Sequence, residues 1–467
     1  MTGMLLMLAE VLAVAVLAMV ASRHFGLADG LRITVSYLVA YLVPLMLLKR
    51  ARGTSLAAHA VLFAMTVFVG FVAFDCLVSW TAPDGYSLQR PDLSADARNY
   101  YKWALNEYDG STDYTAGSFP GFPLMMMVLW KVLGLSVIWP QAMNMMFTLT
   151  SVVLTGMMTR RVLGQRLPLS SRTLVLAGML LMCLLSYYLM SGIIILKEAS
   201  IFLSVTMAGY ALSAMVSGDD ERHRLWWDIV VFLLACVLLA FVRTTFLYLL
   251  AVGVILVALP HWRRDWALAV CLLLAIAIFM VIGNHFAAYS FNRHAEIVEG
   301  GWNMQRHFNT EKLYYKSFLG FYFLYSPWHR LLLLPMTMAM QFILPFPVPW
   351  MPAGDTPYLL CFFSRMTYGW YIFGGTVLFY CLFVSWRRHH NIGVWAWWPV
   401  IVYMGMAYVM GGTMARYMLP FQPLMVPMVL FVLYQVYKGR WRKSYIIWII
   451  AILLIMLAAS YYYHEMR

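Results

Sequence analysis

Apolar runs of about 17 to 23 residues, each long enough to cross a hydrocarbon core of about 30 Å as a helix, recur along nearly the whole chain. They fall near residues 4–22, 31–48, 58–79, 137–158, 173–190, 198–217, 227–242, 246–260, 267–287, 367–385, 394–412, 418–437 and 444–462. No feature limits the fold more. Where there is no water to bond a peptide group, a lone segment satisfies its backbone only as a helix. Composition agrees: 63% of residues are hydrophobic, 11% are charged and the mean hydropathy is +0.74, a balance outside the range of soluble domains of this size. The expected fold is an all-α polytopic membrane protein with about thirteen transmembrane helices, and residues 1–467 read as a single transmembrane domain. The first run, Met4 to Ser22, reads as a retained span rather than a cleaved signal.

A net charge of +13 would suit a nucleic-acid binder, but the positions of the basic residues argue otherwise. They gather in alternate loops: Lys49, Arg50 and Arg52; Arg160, Arg161, Arg166 and Arg172; Arg222 and Arg224; Arg263 and Arg264; Arg387 and Arg388; Lys438, Arg440, Arg442 and Lys443. Positive loops stay on the cytoplasmic side, so the excess reports topology and nucleic acid is not an expected partner. Cysteines 76, 183, 236, 271, 361 and 381 stand singly in or beside apolar runs, the pattern of small hydrophobes rather than of a disulfide or metal framework.

This orientation sends two long segments to the outer face, residues 80–136 and 288–366. Within the second, Leu331 to Trp350 is long enough to span but carries Pro335, Pro345, Pro347 and Pro349. One crossing there would invert every later basic loop, so Leu331 to Phe363 reads as a re-entrant or interfacial hairpin. In the first, a helix over about 94–108 places Asp96, Tyr100, Trp103 and Glu107 on one face, as an interfacial helix would. A second amphipathic element follows in Ser118 to Gly134.

Three other charges reach the outer boundary. Glu198 stands where "GIIILKEASIFLSV" re-enters lipid, Arg243 is the sole charge of its long apolar stretch, and Arg416 opens a late helix in "GGTMARYMLPFQP". Solvated loops and interfacial anchors account for each residue taken alone. Together they make two carboxylates and two guanidinium groups at lipid depth. A lipid-phosphate-linked sugar already carries its leaving group, so its transfer needs a base for the acceptor hydroxyl and cations for the departing phosphate. Guanidinium suits the second task through its bidentate fork.

The order "DARNYYKWA … FPGFPLMMMVLWKVLG … QAMNMMFTLTSVVLTGMMTRRVLG" resembles the first outer loop and following helix of the GT-C superfamily of integral membrane glycosyltransferases. "KEASIFLSVTMAGYAL", "FVRTTFLYLL" and "ARYMLPFQPLMVP" are similar to that fold's acid-bearing helix, its internal arginine segment and the start of a late helix. The likeness covers roughly residues 90–260 and 405–430. It implies a GT-C-like fold with Asp96 as the catalytic carboxylate, Glu198 as a second pocket acid, and Arg243 and Arg416 as ligands of the lipid phosphate. Where many relatives have paired acids, this chain has Asp96, Ala97 and Arg98. No cofactor is therefore assigned with certainty, a divalent metal stays open, and metal ligands are unknown.

Candidates for binding the substrate or its sugar are Arg98, Tyr100, Lys197 and Tyr417, with Arg306, His307 and Tyr314 from the long outer loop, where aromatic and polar residues interleave as sugar recognition requires. The function expected is transfer of a sugar from a polyprenyl-phosphate carrier to a lipid-linked or glycan acceptor, on the periplasmic face of a bacterial inner membrane. The expected partners are that donor, that acceptor and membrane lipid. A cell-surface polysaccharide polymerase using polyprenyl-diphosphate-linked repeat units would use the same groups. A lipid-linked oligosaccharide transporter would instead place charges at mid-membrane and repeat its halves, a pattern this sequence lacks.

Overall fold

The computed structural model describes residues 2–51, 54–82, 85–86, 95–110, 121–185, 188–189, 192–216, 225–259, 262–286, 331–332, 334, 368–385, 391–410 and 419–465. The chain forms two compact units, which among the described residues run from Thr2 to Leu238 and from Leu239 to Glu465. The fold is helical, apart from an antiparallel ladder pairing Thr81 with Tyr86 and Ala82 with Gly85. Each expected apolar run holds a helix. Among the described residues six helices are long and apolar enough to cross a membrane: Thr2–Phe25, Leu27–Arg50, Leu56–Val78, Ile138–Leu163, Trp266–Gly283 and Leu419–Tyr437. The protein is thus all-α with the helices of a membrane protein. The expected hairpin over 331–363 lies almost wholly outside the described residues.

The first unit opens with α1 (Thr2–Phe25), α2 (Leu27–Arg50) and α3 (Leu56–Trp80). Gly26, at φ 86°, makes the α1–α2 turn, and Gly30 lets the helices touch, since a Cβ there would stand 2.4 Å from the Ser22 backbone. Three polar side chains of this apolar trio satisfy one another. His59 Nε2 lies 2.6 Å from Glu10 Oε1 and 2.8 Å from Tyr41 Oη, and the Tyr41 hydroxyl donates to Glu10. The cluster ties the otherwise lipid-ready α1 to its neighbours.

Next come α4 (Ala95–Asp109), α5 (Gly121–Leu133), α6 (Ile138–Leu163), α7 (Ser171–Cys183), α8 (Glu198–Val216) and α9 (Leu225–Val242). Of the six candidate spans α6 is the most enclosed, with 83% of its apolar window buried. Helices gain no hydrophobic energy by leaving lipid for each other, so close contact and polar links must join them. Both are present. Gly178 of α7 sits where a Cβ would be 3.0 Å from Gly156 Cα, and Gly156 where one would be 2.8 Å from the Val175 carbonyl oxygen. Gln141 joins three helices, accepting from Tyr37 Oη at 2.9 Å and donating to the Ala73 carbonyl at 3.1 Å. The hydroxyls of Ser151, Thr155 and Thr159 turn back to carbonyls four residues earlier at 2.8, 2.7 and 2.8 Å, so none is stranded.

At its far end α6 holds a buried ion pair. Arg161 Nη1 donates to Asp228 Oδ1 at 2.7 Å and to the Tyr210 carbonyl at 3.1 Å, and its guanidinium lies 3.9 Å from the centre of the Tyr210 ring. The two side chains are 2% and 4% exposed. Arg161 reads in the sequence as one of the loop cations, whereas the structure encloses it as a clamp of α6, α8 and α9. Another difference concerns α7, which stops seven residues short of the expected 190, where the Leu184 amide turns to the Leu181 and Met182 carbonyls.

The second unit contains α10 (Thr245–Ala258), α11 (Trp262–Phe286), α12 (Tyr368–Phe379), α13 (Val394–Met410), α14 (Gln422–Tyr437) and α15 (Arg442–Glu465). Indole N–H groups bond across the helices: Trp398 to the Leu249 carbonyl at 3.0 Å and Trp448 to the Gly375 carbonyl at 2.7 Å. Thr376 and Tyr445 share a hydrogen bond of 2.7 Å. The five described cysteines are free.

Removing one member of a buried pair leaves the other charge without compensation. Asp228→Ala is expected to cost about 3–5 kcal/mol, while the apolar double variant Arg161→Met/Asp228→Leu stays near neutral. Thermal unfolding in detergent checks both. Equal losses in the single and double variants would show that shape rather than charge makes the clamp.

Candidate functional site

The site is built around a short piece of backbone that is neither helix nor exposed. Between α7 and α8 the segment Gly192–Lys197 is irregular, and its side chains Ile193, Ile194, Ile195, Leu196 and Lys197 are all buried. Irregular backbone at membrane depth is stable only when enclosed in protein with its polar groups bonded. Asn144 of α6 meets much of that demand, its Nδ2 donating to the Ile194 carbonyl at 2.6 Å and the Leu196 carbonyl at 2.9 Å. Gly192 is obligatory, because a Cβ would fall 1.9 Å from Thr148 Oγ1. The sequence marks this stretch only as the place where the chain re-enters lipid before Glu198, and the structure adds that it is enclosed.

The turn delivers Lys197 and Glu198 to the start of α8. The Lys197 carbonyl accepts from Ser200 Oγ at 2.6 Å and from the Ile201 amide at 3.2 Å, closing the first helical turn. Glu198 is the first residue of α8 and only 3% exposed, placed where the partial positive charge of a helix N-terminus favours a carboxylate. Asn144 Oδ1 and Thr148 Oγ1 are buried beside this turn without a hydrogen-bond partner among the described residues, which leaves polar capacity there.

Above the turn lies α4, starting one residue after the expected boundary. Tyr100 is buried, with its ring 5.3 Å from Lys197 Nζ, 5.6 Å from the Trp103 ring and 5.7 Å from the Phe122 ring. That Lys197 distance is within the range of cation–π attraction. Further along, Tyr101 meets Trp130 at 5.2 Å, and the Trp130 indole donates to the Ser136 carbonyl at 2.7 Å, so aromatic rings pin α4 to α5. Asp96 lies on the backbone of α4 one turn before Tyr100, about 6 Å along the axis. The side chains of Asp96 and Arg98 are outside the described residues, as are Arg306, His307, Tyr314, Arg416 and Tyr417.

Arg243 belongs to the second unit and follows α9. Its amide bonds to the Leu239 carbonyl at 2.7 Å, and its guanidinium lies 5.4 Å from the centre of the Phe246 ring. Phe246 stacks on Phe421 at 5.9 Å and 15°. Phe421 ends the turn Leu419–Phe421 that opens α14, so the segment after Arg243 packs against the start of α14 within this unit. Of the sequence-derived candidates, Tyr100 and Lys197 meet at α4, the helix that bears Asp96, and Glu198 follows Lys197 as the first residue of α8.

Sequence reasoning missed Asn144, Thr148, Gln141 and Gly192. The signal was a polar residue every three or four positions along the otherwise apolar α6. Among the described residues no three His, Cys, Asp or Glu side chains gather as a metal site would need. The chain matches no family model, no curated protein and no solved structure.

Asn144→Leu fills the same space but orphans two carbonyls, and is expected to cost about 1–3 kcal/mol for each. Asn144→Asp, which keeps the shape and loses the donors, should be at least as damaging. Melting temperatures near wild type for both would remove Asn144 as the support of the turn.

Proposed function

We propose that the protein is a GT-C-like membrane glycosyltransferase that moves a sugar from a polyprenyl-phosphate carrier to a lipid-linked or glycan acceptor. The observation that carries this reading is the association of a buried Lys197–Glu198 pair with Tyr100 of α4, whose first turn holds Asp96. An aromatic face, an ammonium and carboxylates at one end of a membrane unit suit a phosphate-linked sugar better than a purely structural end. In this proposal about thirteen helices cross a bacterial inner membrane, and the start of α8 opens to the periplasm.

Asp96 takes the acceptor hydroxyl proton as that oxygen attacks the anomeric carbon. The bond from that carbon to the phosphate oxygen breaks with its electron pair, and the carrier leaves as its phosphate. Glu198 serves as the second acid of the pocket, held ready by the α8 N-terminus. Lys197, beside the Tyr100 ring, is assigned with Tyr100 to substrate or sugar binding, and Arg243 and Arg416 are assigned to the carrier phosphate. Arg98, Tyr417, Arg306, His307 and Tyr314 are assigned to sugar and acceptor recognition. Inversion at carbon follows from a single displacement.

The test is turnover of an undecaprenyl-phosphate-linked sugar by the purified protein. Asp96→Asn is expected to lower kcat by about 10²- to 10⁴-fold with an unchanged melting temperature, as loss of a general base requires. Asp109→Asn, at the other end of α4, serves as control. Activity of Asp96→Asn within about threefold of wild type would overturn the assignment. Arg243→Lys and Arg416→Lys keep charge but lose the guanidinium fork, and each should raise the donor KM. Unchanged donor kinetics in both would sink the phosphate role.

A further inference from the structure

The turn between α14 and α15 and the first two residues of α15 hold four exposed cations, Lys438, Arg440, Arg442 and Lys443, within six residues. Retention of positive loops on one membrane face asks only for charge, and flexible side chains would serve. Here two of the four are held in place. Gly439, at φ 82°, lets its amide bond to the Val436 carbonyl at 3.0 Å and the Arg440 amide to the Gln435 carbonyl at 2.9 Å, a Schellman-type end for α14. Arg440 Nη1 also donates to Gln435 Oε1 at 3.2 Å, and Lys438 Nζ lies 5.7 Å and 5.6 Å from the ring centres of Tyr434 and Tyr437.

Trp441 completes the turn at φ 59°, the one non-glycine residue with positive φ among the described residues. A bulky side chain is disfavoured in that conformation, and it persists only where the surroundings enforce it. The result sets the Trp441 ring 6.5 Å from Phe431, half-buried, while the cations beside it and the Tyr437 ring stay in the open, Tyr437 at 80% exposure. This ledge ends a segment, Leu419–Tyr437, that is long and apolar enough to cross a membrane. About 24 Å of helix therefore separates it from the end of α14 that follows Arg416.

We propose that this ledge is a binding site for the headgroups of anionic phospholipids, separate from the carrier site. Four cations match the phosphate-bearing headgroup, and Tyr437 and Trp441 occupy the interfacial depth where amphipathic rings settle. Holding Arg440 and Lys438 in place before the lipid arrives reduces the ordering that binding must impose. The proposal does not depend on the transferase reading.

The test places the full-length protein in nanodiscs of phosphatidylcholine containing phosphatidylglycerol and counts co-purifying lipids by native mass spectrometry. Wild type is expected to retain phosphatidylglycerol in preference. The variant K438Q/R440Q/R442Q/K443Q should lose that preference by about a hundredfold or more, since each cation that the ledge holds against a headgroup is worth about fivefold and the losses compound. Neutralising another exposed basic helix end, K49Q/R50Q, should leave it unchanged. Should the fourfold variant fail to insert, Arg440→Gln and Arg442→Gln carry the test singly, each with a loss of about fivefold. Inserting two glycines after Gly439 keeps every charge but frees Arg440 from Gln435 and undoes the turn that sets Trp441, and is also expected to weaken retention. Three results would overturn the site: wild-type retention in the neutralised variants, an equal loss in K49Q/R50Q, or full retention after the glycine insertion, which would leave only a diffuse basic rim.

Discussion

The two hydrogen bonds from Asn144 to the Ile194 and Leu196 carbonyls support the arrangement on which the candidate site depends. A helix satisfies its own backbone, so a chain crossing lipid can place polar chemistry within it only where some other group takes over that duty. Here one side-chain amide on the most enclosed helix does so. Its support allows the chain to turn under cover, and the turn leaves Lys197 and Glu198 buried in the protein. Gly192 against Thr148 shows how closely α6 and the turn must approach for the amide to reach.

The helices were legible because lipid imposes one strong rule, a long apolar run, and α1, α2, α3 and α6 obey it plainly. At Gly26 the apolar runs 4–22 and 31–48 stopped three to four residues short of the helices on either side, because the polar residues there left the run without ending the helix. The boundary was misjudged at α7, where leucines continue past Cys183 and hydropathy carries no mark of the backbone turning away. The α4 helix was legible through the spacing of Asp96, Tyr100 and Trp103. Burial of the 192–197 turn was not, since "GIIILK" looks the same in lipid and in protein. Asn144 was hidden for a related reason: a single amide in an apolar run announces a partner without saying which, and its partners lie 50 and 52 residues away in the sequence.

Charge serves different ends at different depths. Arg161 and Asp228 are sealed together, where the pair adds little net energy but strongly penalises any arrangement that separates α6 from α9. Glu10, Tyr41 and His59 act more locally, giving the least enclosed helix a polar reason to stay against α2 and α3. Neither group was singled out by the sequence, because partners on different helices leave no spacing to read. The topological reading of basic loops also absorbed Arg161, although its neighbour count of charges says nothing of whether a guanidinium faces water or a carboxylate.

The location of Glu198 follows from these constraints. In the middle of α8 a buried carboxylate would face a helix whose amides are already bonded. At the first position it meets amides with no helical acceptor, whose aligned dipoles favour a negative charge. The same end is where the enclosed turn arrives, so the one place in α8 that tolerates an acid is also the place where irregular backbone offers further polar groups. Tyr100 then limits where the adjacent ammonium can go, because its own ring is fixed by Trp103 and Phe122. A site assembled this way is held by helix ends and aromatic packing rather than by a flexible loop, which is what preorganisation of charged side chains demands.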